Sequence, residues 1–251
     1  KADIVIHCAA RAHVMSETVG DPIELYREVN TRGTLNLAKH AAAQGVKRFI
    51  FISSIKVNGE STEKGEFISA HSPVNPTDPY GVSKSEAEIG LKKLSTETGM
   101  EIVVIRPPLV YGPGVKANFA SMMKIAKKNL PLPLGAIHNK RSLVALDNLV
   151  DLIVTCVNHP NAGNQTFLVS DDRDVSTTEL LEIMTRSAGS TPRLIPVRQI
   201  WLERMGKILG KQAVIERLCG NLQVDITHTR KTLNWEPPLS LEEGIKRCFD
   251  G

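Results

Sequence analysis

A continuous apolar run, "KRFIFISS" (47–54), and a buried strand broken by Pro107 and Pro108, "EIVVIRPPLVYGPG" (101–114), bracket a segment of helical period that opens after Asp78 and stops near Gly99. A strand that is apolar on both faces must be covered on both faces. That is the signature of a parallel sheet whose strands are joined by crossover helices. The same alternation begins earlier. "DIVIHCAA" reads as a buried strand ending in small residues, and "DPIELYREVNTRGTLNLAKHAAAQG" follows it. In that helix Asp21 is a candidate N-cap, Pro22 takes the first helical position and Gly45 ends the run. Strand, helix, strand, helix, strand predicts an α/β domain with a doubly wound parallel sheet.

The second half is less regular. "KANFASMMKIAKKNLPLPLG" reads as a helix running into a proline-punctuated loop, "RSLVALDNLVDLIVTCVNHP" as a strand and then a helix capped by Asp147, and "QTFLVSD" as a strand. "STTELLEIMTRSAG" and "SLEEGIKRCF" each carry a capping box, Ser176 with Glu179 and Ser240 with Glu243. No repeat or low-complexity linker interrupts the 251 residues, so the boundary between a first domain and a second, smaller one is soft and falls near residue 115.

Composition excludes several classes. The net charge is only +4, and the Lys and Arg residues are spread without a polybasic block, which disfavours nucleic acid and suits a phosphate-bearing small ligand. Cys8, Cys156, Cys219 and Cys248 lie far apart with no C-x-x-C pair, so neither a disulfide framework nor a metal site is expected, and a reducing cytoplasm fits. No apolar run is long enough to span a bilayer. The stretch "RQIWLERMGKILGKQAVIERL" interleaves Trp201, Met205, Ile208 and Leu209 with cations, as interfacial helices do. Gly206 and Gly210 interrupt it, and a packed helix is the preferred reading.

The chemistry concentrates around "PYGVSK". Tyr80, Lys84, Ala87, Leu91 and Leu94 advance by four, three, four and three residues and share one stripe of the helix. Ala87, Leu91 and Leu94 would face the sheet, which puts Tyr80 and Lys84 at the start of a buried stripe. A lysine there is costly unless paired or bound to a ligand. The plain alternative is a half-buried tyrosine beside a snorkelling lysine. Ser53 and Ser54 end the preceding strand, at the edge where open α/β sheets bind ligands. A serine there can be merely a helix cap, but "IKVNGE" has no helical pattern for it to serve. Together Ser54, Tyr80 and Lys84 fit hydride chemistry at a carbinol. Ser54 would hold the hydroxyl and Tyr80 would exchange its proton, while Lys84, one turn away, would lower the phenol pKa.

Y-x-x-x-K with an upstream serine resembles the short-chain dehydrogenase/reductase superfamily, and the flanking segments resemble its extended branch, the NAD-dependent nucleotide-sugar epimerase/dehydratase family. "DIVIHCAARAHV", "VNTRGTLNLAKHA", "FISSIKVNGE", "PYGVSKSEAE", "IRPPLVYGPG", "RSLVALDNLVDLI" and "LNWEPPLSLEEGI" resemble that family's segments in the right order along essentially the whole chain. The resemblance implies a Rossmann-like sheet formed by residues 1–115, with 142–175 packing back on it. A smaller mixed α/β substrate domain would comprise 116–141 and 176–251. It implies Ser54, Tyr80 and Lys84 as catalytic residues. Ala9, Ala10, Asn30, Ser53, Tyr80, Lys84 and Pro107 would line NAD or NADP, and Asn118, Arg141 and Arg217 would bind a UDP-sugar. For Arg217 a solvated charge on a helix face is an equal alternative, and His7 is read as a packed strand residue without chemistry. The resemblance also implies a homodimer through the helices at 22–44 and 79–98.

Three departures shape the expectation. The sequence holds no G-x-x-G-x-x-G turn, and "KADIVIH" aligns with the family's fourth strand, so the first three βα units are missing and a fragment of a longer protein is expected. Leu109 stands where many epimerases have Asn, and "RSLVALD" replaces a more polar segment. Both point toward 4-keto reductases or 4-epimerases of UDP-N-acetyl-6-deoxyhexoses in surface-polysaccharide pathways. A dehydratase is disfavoured because Ile55 and Lys56 follow Ser54 in place of an acid/base pair. The alternative from another class is an inactive fragment or a non-catalytic ligand-binding member.

Overall fold

A computed structural model describes residues 2–12, 21–115 and 117–250. The His13–Val14 end of the first family-like segment lies outside them. Four strands, β1 (Ile4–His7), β2 (Arg48–Ile52), β3 (Glu101–Arg106) and β6 (Thr166–Leu168), form a wholly parallel sheet in the order β1-β2-β3-β6. A smaller sheet joins β4 (Leu109–Tyr111), β5 (Arg141–Ala145) and β7 (Asp174–Val175). The helices are α1 (Pro22–Tyr26), α2 (Thr34–Ala43), α3 (Pro79–Thr98), α4 (Ala117–Lys128), α5 (Leu146–Asn158), α6 (Thr177–Ser187), α7 (Gln199–Ile208), α8 (Gln212–Cys219), α9 (Thr227–Leu233) and α10 (Leu241–Arg247).

The crossovers form for the reasons legible in the sequence. Asp21 accepts from the Ile23 amide and Pro22 begins α1. Asp78 accepts from the Gly81 amide at 2.6 Å, Pro79 begins α3, and Gly99 ends it in the left-handed region at φ 76°. Both capping boxes close as expected. Ala87, Leu91 and Leu94 of α3 pack with Ala38, Phe49, Phe51 and Val104 in one core between sheet and helices. Gly90 brings α2 against α3, since a Cβ there would lie 2.6 Å from a Leu35 methyl.

Four local expectations are corrected. β1 is half-buried, with Ile6 44% exposed, because among the described residues it has a strand neighbour on one side only. The helix after Asp21 is not uniform: Arg27–Gly33 is a π-helical stretch between α1 and α2. "IKVNGE" does contain a helical turn, a 3-10 helix over Ile55–Val57, and Ser54 caps it by accepting from the Lys56 amide at 3.2 Å. Asp147 does not cap α5. Ala145 holds that position, since β5 runs directly into the helix, and Asp147 pairs with Arg247 at 2.8 Å.

Candidate functional site

The registers align the carboxyl ends of the main strands. His7 pairs across from Phe51, and Ile52 from Ile105, so Ala9–Ala10, Ser53–Ser54 and Pro107 emerge on one edge of the sheet. The Ile55 amide donates to the Pro107 carbonyl at 3.0 Å, tying the last two together. Helix α3 begins over this edge with Tyr80 as its second residue. The Ser54 hydroxyl lies near enough to the Tyr80 phenol to favour phenolate. Tyr26 meets the Tyr80 ring edge-on at 6.2 Å between centroids.

Lys84 lies one turn along and is 1% exposed. Its ammonium donates to the Ile52 carbonyl at 2.8 Å and sits 4.4 Å from the Phe51 ring centroid. Burial drives its pKa down to about 8, against the opposing pull of Glu88 and Cys8. The same ammonium helps to hold His7 below the usual histidine range, after burial itself; His7 bonds Thr34 at 2.9 Å and stacks on Phe51, a packed role as expected.

The electrostatics of Tyr80 differ from the sequence expectation. Burial pushes the phenol above the usual tyrosine range, Lys56 pulls it down, Asp78 pushes it up and the Ser54 hydroxyl pulls it down. Lys56 is thus a cation that favours phenolate, while the Lys84 ammonium donates to the carbonyl at the end of β2. Lys56 is bonded to Asp78 at 2.5 Å and pairs with Glu60. Although burial opposes its charge, those two carboxylates raise its pKa above the usual lysine value. The Lys56 amide donates to the Ser54 hydroxyl oxygen, and the Lys56 carbonyl lies where a Cβ on Gly81 would approach to 2.7 Å. One residue therefore braces the hydroxyl on one side and the helix start on the other. Its pattern in sequence is only that of a loop lysine, and the partner twenty-two residues on gives no local signal.

Two residues expected at the cofactor also support the structure. Asn30 is fully buried in the π-helical stretch, accepting from the Arg11 amide at 2.8 Å and donating to the Arg11 carbonyl at 3.1 Å and to the Ser83 hydroxyl at 3.0 Å. Its amide holds the segment after Ala9–Ala10 against α3. Ser53 is 3% exposed and donates its hydroxyl to Glu88 at 2.5 Å. Glu88 forms a two-pronged ion pair with Arg106, at 2.9 and 2.5 Å, and Arg106 reaches on to Asn58 at 3.0 Å. Both charges are almost wholly buried. Ala9 and Ala10 remain exposed, and Pro107 is buried with its carbonyl spent on Ile55.

The expected diphosphate ligands partly converge. Arg141, half-buried at the start of β5, donates to the Arg217 and Gly220 carbonyls at 3.4 and 3.1 Å. Burial lowers its pKa and Glu60 partly restores it, so Glu60 faces both Lys56 and Arg141. The Arg217 side chain is exposed on α8, and Asn118 is exposed on the first turn of α4. No group of three or more metal-ligating side chains occurs among the described residues.

Comparison with known proteins agrees with this arrangement. Residues 1–170 match the NAD dependent epimerase/dehydratase family. A UDP-glucose 4-epimerase of Vibrio cholerae is 56% identical over 97% of this chain and 75% of its own length. A GDP-6-deoxy-D-mannose reductase of Pseudomonas aeruginosa is 27% identical over 97% of this chain and 78% of its own. The structure of UDP-glucuronic acid 4-epimerase from Bacillus cereus in complex with NAD superposes with a TM-score of 0.76 at 20% identity, covering 99% of this chain and 73% of that one, a likeness of fold. With a parallel sheet of this topology and an ordered set of matching segments, the chain belongs to the NAD-dependent epimerase/dehydratase family of nucleotide-sugar enzymes.

Proposed function

We propose that the protein carries out hydride chemistry at C4 of a UDP-hexose, as a 4-epimerase, with Ser54, Tyr80 and Lys84 at the reacting centre. The observation that carries this reading is the convergence of Ser54, Tyr80 at the start of α3 and the buried Lys84 ammonium on the carboxyl edge of a parallel sheet.

A nicotinamide cofactor fits the residues present. Lys84 is buried with one carbonyl partner among the described residues, which leaves ammonium donors suited to ribose hydroxyls. Ala9 and Ala10 are small and exposed on the same edge, where a flat ring can approach. Ala9, Ala10, Tyr80, Lys84 and the Pro107 edge would hold it. When bound, it supplies a hydride acceptor and donor.

Ser54 would hold the C4 oxygen by hydrogen bonding. Tyr80 would take the proton of that hydroxyl as the carbinol is oxidised and return it when the ketone is reduced. Burial favours the neutral phenol, suited to donating; Lys56 and the Ser54 hydroxyl favour phenolate, suited to accepting. A phenol held between these influences can run in both directions, as a reversible 4-epimerisation requires. Arg141 and Arg217 would meet the diphosphate, where planar guanidinium forks suit paired oxygens, and Asn118 the nucleotide. In this reading residues 116–141 and 176–251 close over the sugar nucleotide, and the product feeds surface-polysaccharide synthesis in the cytoplasm.

A second reading is a 4-keto reductase, favoured by the 27% identity to a GDP-6-deoxy-D-mannose reductase. Incubating the intact protein with a UDP-hexose deuterated at C4 separates the two. An epimerase keeps deuterium at C4 of the product without net cofactor consumption, whereas a reductase oxidises one NADPH per 4-keto sugar. Tyr80→Phe should cost about 10²- to 10⁴-fold in kcat. Normal turnover by that variant would end the proposal. We further propose a homodimer through the α1–α2 and α3 surfaces, where Leu25, Val29, Leu37 and Ile89 are exposed.

A further inference from the structure

Helices α7 and α8 form a hairpin. Gly210 makes the turn at φ 65°, and Gly206 lets the arms touch, since a Cβ there would lie 2.5 Å from Ile215. The inner face packs: Leu202 and Cys219 are buried against Ile137, with Leu134, Val197, Ile215 and Leu218 around them. To this extent the packed reading of the sequence holds.

The outer face is another matter. Ile200, Trp201 and Met205 are 50%, 55% and 55% exposed, and the tip residues Ile208 and Leu209 are 83% and 62% exposed. Trp201, Met205 and Ile208 are spaced four and three apart and share a stripe that ends at the turn. Lys207 and Lys211, both exposed, flank this tip. Over residues 198–217 Arg198, Arg204, Lys207, Lys211 and Arg217 face only two carboxylates, Glu203 and Glu216. Those carboxylates bond to Gln199 and Gln212 at 2.8 Å each. The Arg204 guanidinium lies 5.3 Å from the Trp201 ring centroid.

We infer that this hairpin docks the protein peripherally on a bilayer that carries anionic lipid, with Ile208 and Leu209 entering the acyl boundary and Lys207 and Lys211 at the lipid phosphates. An apolar tip between lysines, with an indole along the same stripe, matches what an interface offers: hydrocarbon inside, negative charge at its rim, and a zone between that favours Trp. Charge complementarity selects lipid over a second copy, because a two-fold contact through this tip would set the same lysines against each other. Docking through this hairpin does not involve the sugar site. Nor is a spanning helix needed, and none of the described helices is long and apolar enough to be one.

The test is cosedimentation of the intact protein with vesicles of phosphatidylcholine alone and of phosphatidylcholine mixed with phosphatidylglycerol. Binding is expected to the mixed vesicles, weakening as salt is raised. Tryptophan emission should shift to the blue on binding, and Trp201→Phe should remove the shift, because Trp235 is already buried. Lys207→Gln and Lys211→Gln should each weaken binding about fivefold. Ile208→Asp with Leu209→Asp should abolish it while the circular dichroism stays that of the parent, both side chains being exposed. The inference is overturned by an absence of binding to the mixed vesicles at low salt. It is equally overturned by binding that the double aspartate variant retains, or by a dimer that this variant splits.

Discussion

Replacing Lys84 with Met should make the protein more stable and inactive at once. The side chain is 1% exposed, and burial lowers its pKa from 10.5 to about 8. At about 1.4 kcal/mol per pH unit, keeping the ammonium charged in the fold costs about 3 kcal/mol relative to the unfolded chain. Met fills a similar volume, and its sulfur can replace the ammonium against Phe51. The Ile52 carbonyl loses its donor, which costs about 1 kcal/mol. The net expectation is a gain of about 2 kcal/mol, or roughly 5 °C in Tm for a chain of this size. The gain has a pH signature. Below pH 8 both states of the parent carry the proton and the penalty is fully present. Between about 8 and 10.5 the unfolded chain holds a proton that the fold has released, so the parent's stability rises with pH while the variant's does not. Urea titrations at pH 7 and pH 10 should therefore show the advantage of Lys84→Met shrinking toward zero. A variant less stable than the parent at pH 7, or an advantage that ignores pH, would refute the reasoning.

Lys56→Met should move the acidic limb of the kcat/KM profile to higher pH, because the charge that favours Tyr80 phenolate is gone while Asp78 remains beside it. Lys56→Arg should restore the limb, and an unchanged profile in the Met variant would remove Lys56 from the chemistry. For the proposed dimer, Ile89→Glu should shift sedimentation from dimer to monomer, since Ile89 is 66% exposed on α3; a parent that is monomeric at micromolar concentration sinks that reading.

Much of the fold was legible because its signals are local. β2 and β3 are continuous apolar runs, and Asp78, Pro79 and Gly99 mark both ends of α3 within a few residues of the backbone groups they serve. The capping boxes of α6 and α10 are equally short-range. The pairing of Tyr80 with Ser54 followed from one helix period and one strand end. What escaped is held by contacts distant in sequence. Ser53 spends its hydroxyl thirty-five residues away on Glu88, and Asn30 spends its amide on Arg11 and Ser83. The 3-10 turn after Ser54 spans three residues, too few to show a period. The influence of Lys56 on the phenol has no signal in the spacing of Tyr80 and Lys84. Spacing gives a shared helix face but not the direction of a flexible four-carbon chain, which here follows the carbonyl at the end of β2.

The Glu88–Arg106 pair has a consequence for heat. Glu88 stands one turn beyond Lys84 on α3 and is locked to β3 by Arg106 and to the end of β2 by Ser53. The roll of the helix about its own axis is thereby set by charges, whereas its depth in the protein is set by Ala87, Leu91 and Leu94. Dehydrating ions becomes less costly on warming while the gain from burying hydrocarbon levels off. Warming therefore lowers the cost of keeping this pair buried, so the restraint it places on α3 should persist as the temperature rises.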